Sequence, residues 1–196
     1  GTLTYVDEEG RFGALGHGIS DVDTGELLSI ADGNLYDAQI LGIRKGEKGN
    51  PGELSGLIRY EAGNILGEIS ENRKNGIFGT MEASQLKNMN LEKVPIGYKQ
   101  DLKTGPASVF CCTDGEVKEY AAEITRIDLN HEDSNKSFVI QITDKELLEK
   151  TGGIVQGMSG SPVLQNGKLF GAVTHVFVQN STSGYGIFIE NMMDVA

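Results

Sequence analysis

Apolar positions along this chain come in short runs, cut again and again by Gly, Asp and Asn. Residues 2–6 read as a strand, 7–10 as its acidic turn and 11–15 as the returning partner. Residues 35–43 and 54–60 read as strands around a polar loop, 45–52, which is expected to be mobile. Two more short strands follow at 64–69 and 76–80. Residues 82–92 are polar and weakly periodic, a connector with room for one helical turn. Residues 107–112 and 116–127 form a hairpin across Thr113-Asp114-Gly115, which carries the Asp-Gly turn signal, and 137–142 alternates as a strand should. One short helix is predicted over 144–150, with Asp144 as its cap, Leu147 and Leu148 facing inward and Gly152 ending it. Strands at 162–164, 169–178 and 185–189 close the pattern, with a short helix from Asn191. So many short strands and tight turns predict an all-β fold, a barrel or a sandwich. The length and the soft boundary at 82–100 suit two stacked β-barrels, an N-terminal lobe over 1–93 and a C-terminal lobe over 94–196.

Composition narrows the classes. With 196 residues the chain can bury a sizeable core, and 27 glycines fit a turn-rich fold. A net charge of −11 makes nucleic acid or an anionic membrane surface a poor partner. No apolar run approaches the roughly 20 residues of a spanning helix. Gly1 stands first in place of Met and no signal peptide is visible, as expected of a trimmed or mature fragment. Cys111 and Cys112 are adjacent, so in a strand they point to opposite faces and do not pair. His17, His131 and His175 are isolated from one another, without the short spacings of zinc ligands, so neither a metal nor another cofactor is expected. His131 sits in a charged loop and reads as solvated.

The chemistry gathers at Gly157-Met158-Ser159-Gly160-Ser161-Pro162. Serine is a weak nucleophile until a base and an oxyanion site are supplied. Flanking glycines let a substrate carbonyl approach the main chain and let N–H groups converge, here those of Gly157, Met158 and Ser159. The pattern G-x-S-G-x-P is that of the nucleophile turn in chymotrypsin-like serine proteases. A plain turn before a hairpin would look similar; a phosphate-binding loop would need a Lys-Ser/Thr pair and a helix after it. His17, between Gly16 and Gly18 and ahead of the serine, is the best candidate base. His175 lies 16 residues past Ser159, next to Thr174, on a strand that walls the specificity pocket in a chymotrypsin-like barrel, and is a candidate substrate contact.

Three stretches carry a resemblance to a known family. They are Arg11-Phe12-Gly13-Ala14-Leu15-Gly16-His17-Gly18-Ile19-Ser20-Asp21, the run from Thr143-Asp144-Lys145-Glu146 through Ser159 to Pro162, and Gly171-Ala172-Val173-Thr174-His175 with Ser183-Gly184-Tyr185-Gly186. The chain resembles the peptidase domain of the stage IV sporulation protein B family of endospore-forming Firmicutes, over essentially its whole length. The resemblance implies a chymotrypsin-like double β-barrel and a serine endopeptidase with His17 as base and Ser159 as nucleophile. It implies cleavage of itself and of a partner that holds a membrane-embedded protease inactive, leading to activation of a late mother-cell sigma factor. The site of action would be the extracytoplasmic space between forespore and mother-cell membranes. Members carry a membrane anchor and a PDZ domain ahead of the peptidase, and neither lies in these residues. For the third catalytic group the resemblance points to Asp144, whereas chymotrypsin-like topology favours an aspartate from the histidine's own lobe, and Asp37 fits that placement. A catalytically silent barrel that binds a peptide strand at its edge is the reading from another class. A sugar- or nucleotide-binding barrel has little support, with no tryptophan and no basic run.

Overall fold

The computed structural model describes residues 1–89 and 91–193, so residue 90 of the predicted connector and the last three residues of the second lobe lie outside it. Thirteen strands and three short α-helices are found among them. In the first half, β1 (Leu3–Val6), β2 (Arg11–Ala14), β3 (Asn34–Tyr36), β6 (Ile65–Arg73) and β7 (Gly76–Met81) build one antiparallel sheet in the order β1-β2-β7-β6-β3. Its buried face carries Phe12, Ala14, Ile77 and Met81. β4 (Ala38–Arg44) and β5 (Glu53–Ile58) pair with each other, as a ribbon outside both larger sheets. α1 (Ala83–Asn88) supplies the helical turn of the connector.

The second half closes on itself. β8 (Gly105–Cys112), β9 (Val117–Ile127), β10 (Phe138–Ile142), β11 (Pro162–Gln165), β12 (Lys168–Phe177) and β13 (Asn180–Phe188) form a barrel in the order β10-β13-β12-β11-β8-β9. Alternation decides which side chains fill it: Tyr120, Ala122 and Ile124 of β9 and Phe138, Ile140 and Ile142 of β10 point inward, with Glu119 and Glu123 outside. α2 (Lys145–Thr151) is capped by the Asp144 carboxylate, which accepts from Leu147 N–H at 3.0 Å, and ends at Gly152 in the left-handed region. α3 (Ile189–Met193) begins two residues before the expected Asn191, because Ile189 and Met192 bury against the outer face of β12. Tyr5 of β1 joins that same cluster, which glues the first lobe to the barrel wall.

Three expectations change. The first lobe is an open sheet, not a second closed barrel, because the acidic, Gly-containing stretch after His17 forms turns and a single bridge, Ser20 to Leu27, rather than closing strands. The strand expected over 35–43 breaks at Asp37, whose carboxylate accepts from the Ala38 N–H at 2.9 Å. The polar loop 45–52 is docked, not free. Gly46 N–H donates to the Thr151 carbonyl and Gly49 N–H to the Val178 carbonyl, each at 2.8 Å, and Gly46 and Gly52 are buried. Polarity suggested exposure, but the polar groups being satisfied are backbone ones on a neighbouring lobe.

That docking is testable at Gly152, which has φ 74° and where an added Cβ would stand 2.4 Å from the Gly46 carbonyl. Gly167 has a similar φ, 72°, with nothing within 4 Å. Gly167→Ala is expected to cost about 1–2 kcal/mol, the left-handed penalty alone. Gly152→Ala should cost roughly 1–3 kcal/mol more from the overpacked contact. Urea unfolding with an unchanged m-value measures both, and equal losses would mean that the loop is not seated.

Candidate active site

Ser159 sits on a loop shaped by glycine. Gly157 has φ 103° and Gly160 φ 91°, conformations that an L side chain rarely adopts. Between them Met158 turns its fully buried side chain into the barrel core, its N–H donates to the Val155 carbonyl at 3.1 Å, and its own carbonyl accepts from Ser161 N–H at 3.0 Å. Of the three N–H groups expected to face an oxyanion, that of Met158 is engaged, while those of Gly157 and Ser159 meet no protein acceptor among the described residues. Met158 serves instead as the loop's apolar anchor, a role that a pattern of small residues around it did not suggest.

The loop is pinned from both lobes. Gly160 N–H donates to the Val173 carbonyl on β12 at 2.7 Å, and Val173 N–H returns to the Ser161 carbonyl at 3.0 Å. From the first lobe, Thr2 N–H donates to the Ser159 carbonyl and the Thr4 hydroxyl to the Gly160 carbonyl, both at 2.8 Å. Ser161 Oγ, fully buried two residues past Ser159, has no hydrogen-bond partner among the described residues.

His17 follows β2 through two left-handed residues, Leu15 at φ 69° and Gly16 at φ 71°. They swing the chain out of the sheet and toward the barrel. A Cβ on Gly16 would stand 2.9 Å from Ile187 Cγ2 and 3.0 Å from Thr174 Cγ2, so the approach is as close as the backbone permits. The half-buried His17 ring then lies 5.2 Å, centroid to centroid, from the ring of His175 at a tilt of 34°. Its Nδ1 is 2.9 Å from the Gly18 carbonyl. A carbonyl only accepts, so this contact places the proton on Nδ1 and leaves Nε2 free to take one.

Ser159 Oγ donates to the Thr174 carbonyl at 3.0 Å, and Thr174 Oγ1 in turn to the Asn135 carbonyl at 2.6 Å. The structure thus brings Ser159, Thr174, His175 and His17 to one cleft between the lobes. The hydroxyl thus bonds to the main chain beside His175 rather than to His17, and a turn about the serine Cα–Cβ bond would be needed to point it elsewhere. His175 faces the candidate base as well as the cleft. Its pKa is lowered by burial and, second, by His17; Asp133 opposes this and Lys136 adds to it.

Neither candidate aspartate joins them. Asp144 divides its carboxylate between Leu147 N–H at 3.0 Å and Ala121 N–H at 3.4 Å, at the far end of α2, and Asp37 is held by Ala38 N–H. Among the described residues, the only partner at His17 Nδ1 is the Gly18 carbonyl, an arrangement that no side-chain pattern announces. The half-buried His131 turns its Nδ1 back to its own loop, 3.0 Å from the Asp133 nitrogen and 3.1 Å from the Asp133 carbonyl oxygen. No group of three or more His, Cys, Asp and Glu side chains converges on one point among the described residues, and no helix is long and apolar enough to cross a membrane.

Among solved structures the chain is similar to the active form of the Rv3671c protease from M. tuberculosis, at 12% identity and a TM-score of 0.47, over 80% of this chain and 70% of that one. It is similar also to the HtrA-type protease AlgW with tripeptide, at 15% identity and a TM-score of 0.46, over 84% of this chain and 58% of that one. No curated protein matches its sequence. The model of the family described as SpoIVB peptidase S55 matches residues 1–193. The chain belongs to the SpoIVB peptidase S55 family and is a serine peptidase.

Proposed function

We propose that Ser159 is the nucleophile and His17 the general base of this peptidase, and that it works as an endopeptidase of sporulation signalling. The observation that carries the assignment is the pinned loop: a serine between two glycines, with two free N–H groups beside it and an imidazole delivered to its cleft from the other lobe. In the reaction Ser159 Oγ leaves the Thr174 carbonyl, gives its proton to His17 Nε2 and attacks the substrate carbonyl. The N–H groups of Gly157 and Ser159 receive the oxyanion. His17 then returns the proton to the leaving amine. The Gly18 carbonyl holds the tautomer that this sequence of steps needs, so a Ser–His dyad accounts for the chemistry. Thr174 and His175 line the substrate side.

The biological assignment rests on family membership. Its substrates are then the chain itself and a regulator that restrains a membrane-embedded protease, cut between the forespore and mother-cell membranes, with late sigma-factor processing as the result. A silent peptide-binding barrel has no use for two free N–H groups beside a serine, and labelling by a serine-directed phosphonate or sulfonyl fluoride separates the two readings.

Ser159→Ala is expected to lose peptidase activity by about 10⁴- to 10⁶-fold with the fold intact, His17→Ala about as much, and the double variant hardly more, since the two act as one unit. Losses that multiply would remove His17 from the role of base. Asp144→Asn keeps a competent cap; in the dyad it leaves kcat within a few-fold of wild type and Tm unchanged. A fall of orders of magnitude at unchanged Tm would give Asp144 the third place, and the same measurement on Asp37→Asn tests its rival.

His175 yields a pH prediction. Its folded pKa lies below the ordinary 6.5, so the unfolded chain binds its proton more readily. The contribution to stability is complete above 6.5 and is lost as pH falls through the lowered folded value. Tm should therefore drop less between pH 7 and 5 in His175→Gln than in wild type, and identical slopes would refute the coupling.

A further inference from the structure

The β4–β5 ribbon stands apart from both larger sheets, and two strands alone are marginal in water. One edge of it is nevertheless tied to the nucleophile loop. Gln156 N–H donates to the Gly52 carbonyl at 2.9 Å, and Leu54 N–H donates to the Gln156 carbonyl at 2.8 Å, a parallel bridge centred on Glu53 and Gln156. The Leu54 side chain closes over the next residue: a Cβ on Gly157 would stand 3.0 Å from Leu54 Cβ. The docked loop behind the ribbon, bonded to Thr151 and Val178, keeps the bridge from lifting.

The consequence lies in the peptide unit that joins Gln156 to Gly157. It is planar and trans, so its C=O and N–H point in opposite directions. Leu54 holds the carbonyl toward the ribbon, which turns the Gly157 N–H away from the ribbon and leaves it free. Local sequence does not enforce this orientation, because Gly157 is in a region of φ through which only glycine moves freely. The flipped orientation even offers a bond of its own. A rotated Gln156 carbonyl is three residues before the Ser159 N–H, the spacing of a β-turn. That flip would turn one oxyanion donor away and occupy the other.

We propose that Leu54 and Gly52 are positioning residues for catalysis: the ribbon of the first lobe holds the oxyanion donors of the second in their working orientation. The inference rests on Ser159 being the nucleophile. Neither residue touches substrate; both act through Gln156 on the direction of one N–H.

The test uses hydrolysis of an N-acetylalanine p-nitrophenyl ester, inhibition by the matching alanine boronate, and thermal unfolding. Wild type against Ser159→Ala comes first, and equal activity there would sink the nucleophile assignment itself, whatever the ribbon does. Leu54→Pro removes the N–H that faces Gln156 while sparing the opposite edge of β5, which pairs with β4. It is expected to lower kcat about 10²-fold, as loss of one oxyanion donor does, with KM within about twofold. The boronate Ki should rise by the factor by which kcat falls, because the tetrahedral adduct uses the same donors. Gly52→Ala should act alike, since its Cβ would stand 2.3 Å from the Arg44 carbonyl and must displace the Gly52 carbonyl from Gln156. Leu41→Ser, at an exposed position where the same ribbon bulges, should match wild type. Wild-type kcat in a folded Leu54→Pro or Gly52→Ala protein overturns the proposal. So does a loss of kcat that follows the folded fraction alone, with the boronate Ki per folded molecule unchanged.

Discussion

Everything at the cleft depends on how closely two backbones pass at Gly160. An added Cβ there would stand 2.3 Å from the Thr2 carbonyl and 2.6 Å from the Leu15 nitrogen. No side chain fits, and so the Ser159 loop lies directly against the main chain of the other lobe. Hydrogen bonds from Thr2 and Thr4 to the carbonyls of Ser159 and Gly160 follow from that proximity. So does the place of His17, which is only two residues beyond Leu15.

Apolar burial adds to these backbone contacts between the lobes. Tyr5 packs with Leu169, Ala172, Ile187 and Met192 on the outside of the barrel, where burying a Leu, Ile or Met side chain is worth roughly 1.5–3 kcal/mol. This contact is not directional. It brings the lobes together without fixing the angle at which His17 meets Ser159. The angle is set by backbone hydrogen bonds and by left-handed residues at 15, 16, 157 and 160, which makes the site sensitive to small changes in main-chain geometry.

The proposed substrate contacts and the proposed catalytic groups share elements here. β12 provides the Val173 N–H and carbonyl that pin the loop, the Thr174 carbonyl that accepts from the Ser159 hydroxyl and the His175 ring beside His17. A change on this strand aimed at one of these tasks will reach the others, because the contacts come from successive residues of one rigid segment.

Much was legible in the sequence. Period-two alternation in β9 and β10, the Asp-Gly turn, and the cap and stop of α2 at Asp144 and Gly152 are local, and local rules sufficed to find them. Ser159 and His17 stood out because glycines around a polar side chain mark close approach, and the family resemblance gave them roles. What sequence could not reach was every feature made by two distant backbones. The docking of loop 45–52, the Leu54–Gln156 bridge, the loss of the Met158 N–H to Val155 and the Gly18 carbonyl at His17 Nδ1 are main-chain interactions. Every residue but proline carries the same donor and acceptor, so composition and spacing do not say which of them meet; only the packed tertiary structure decides it.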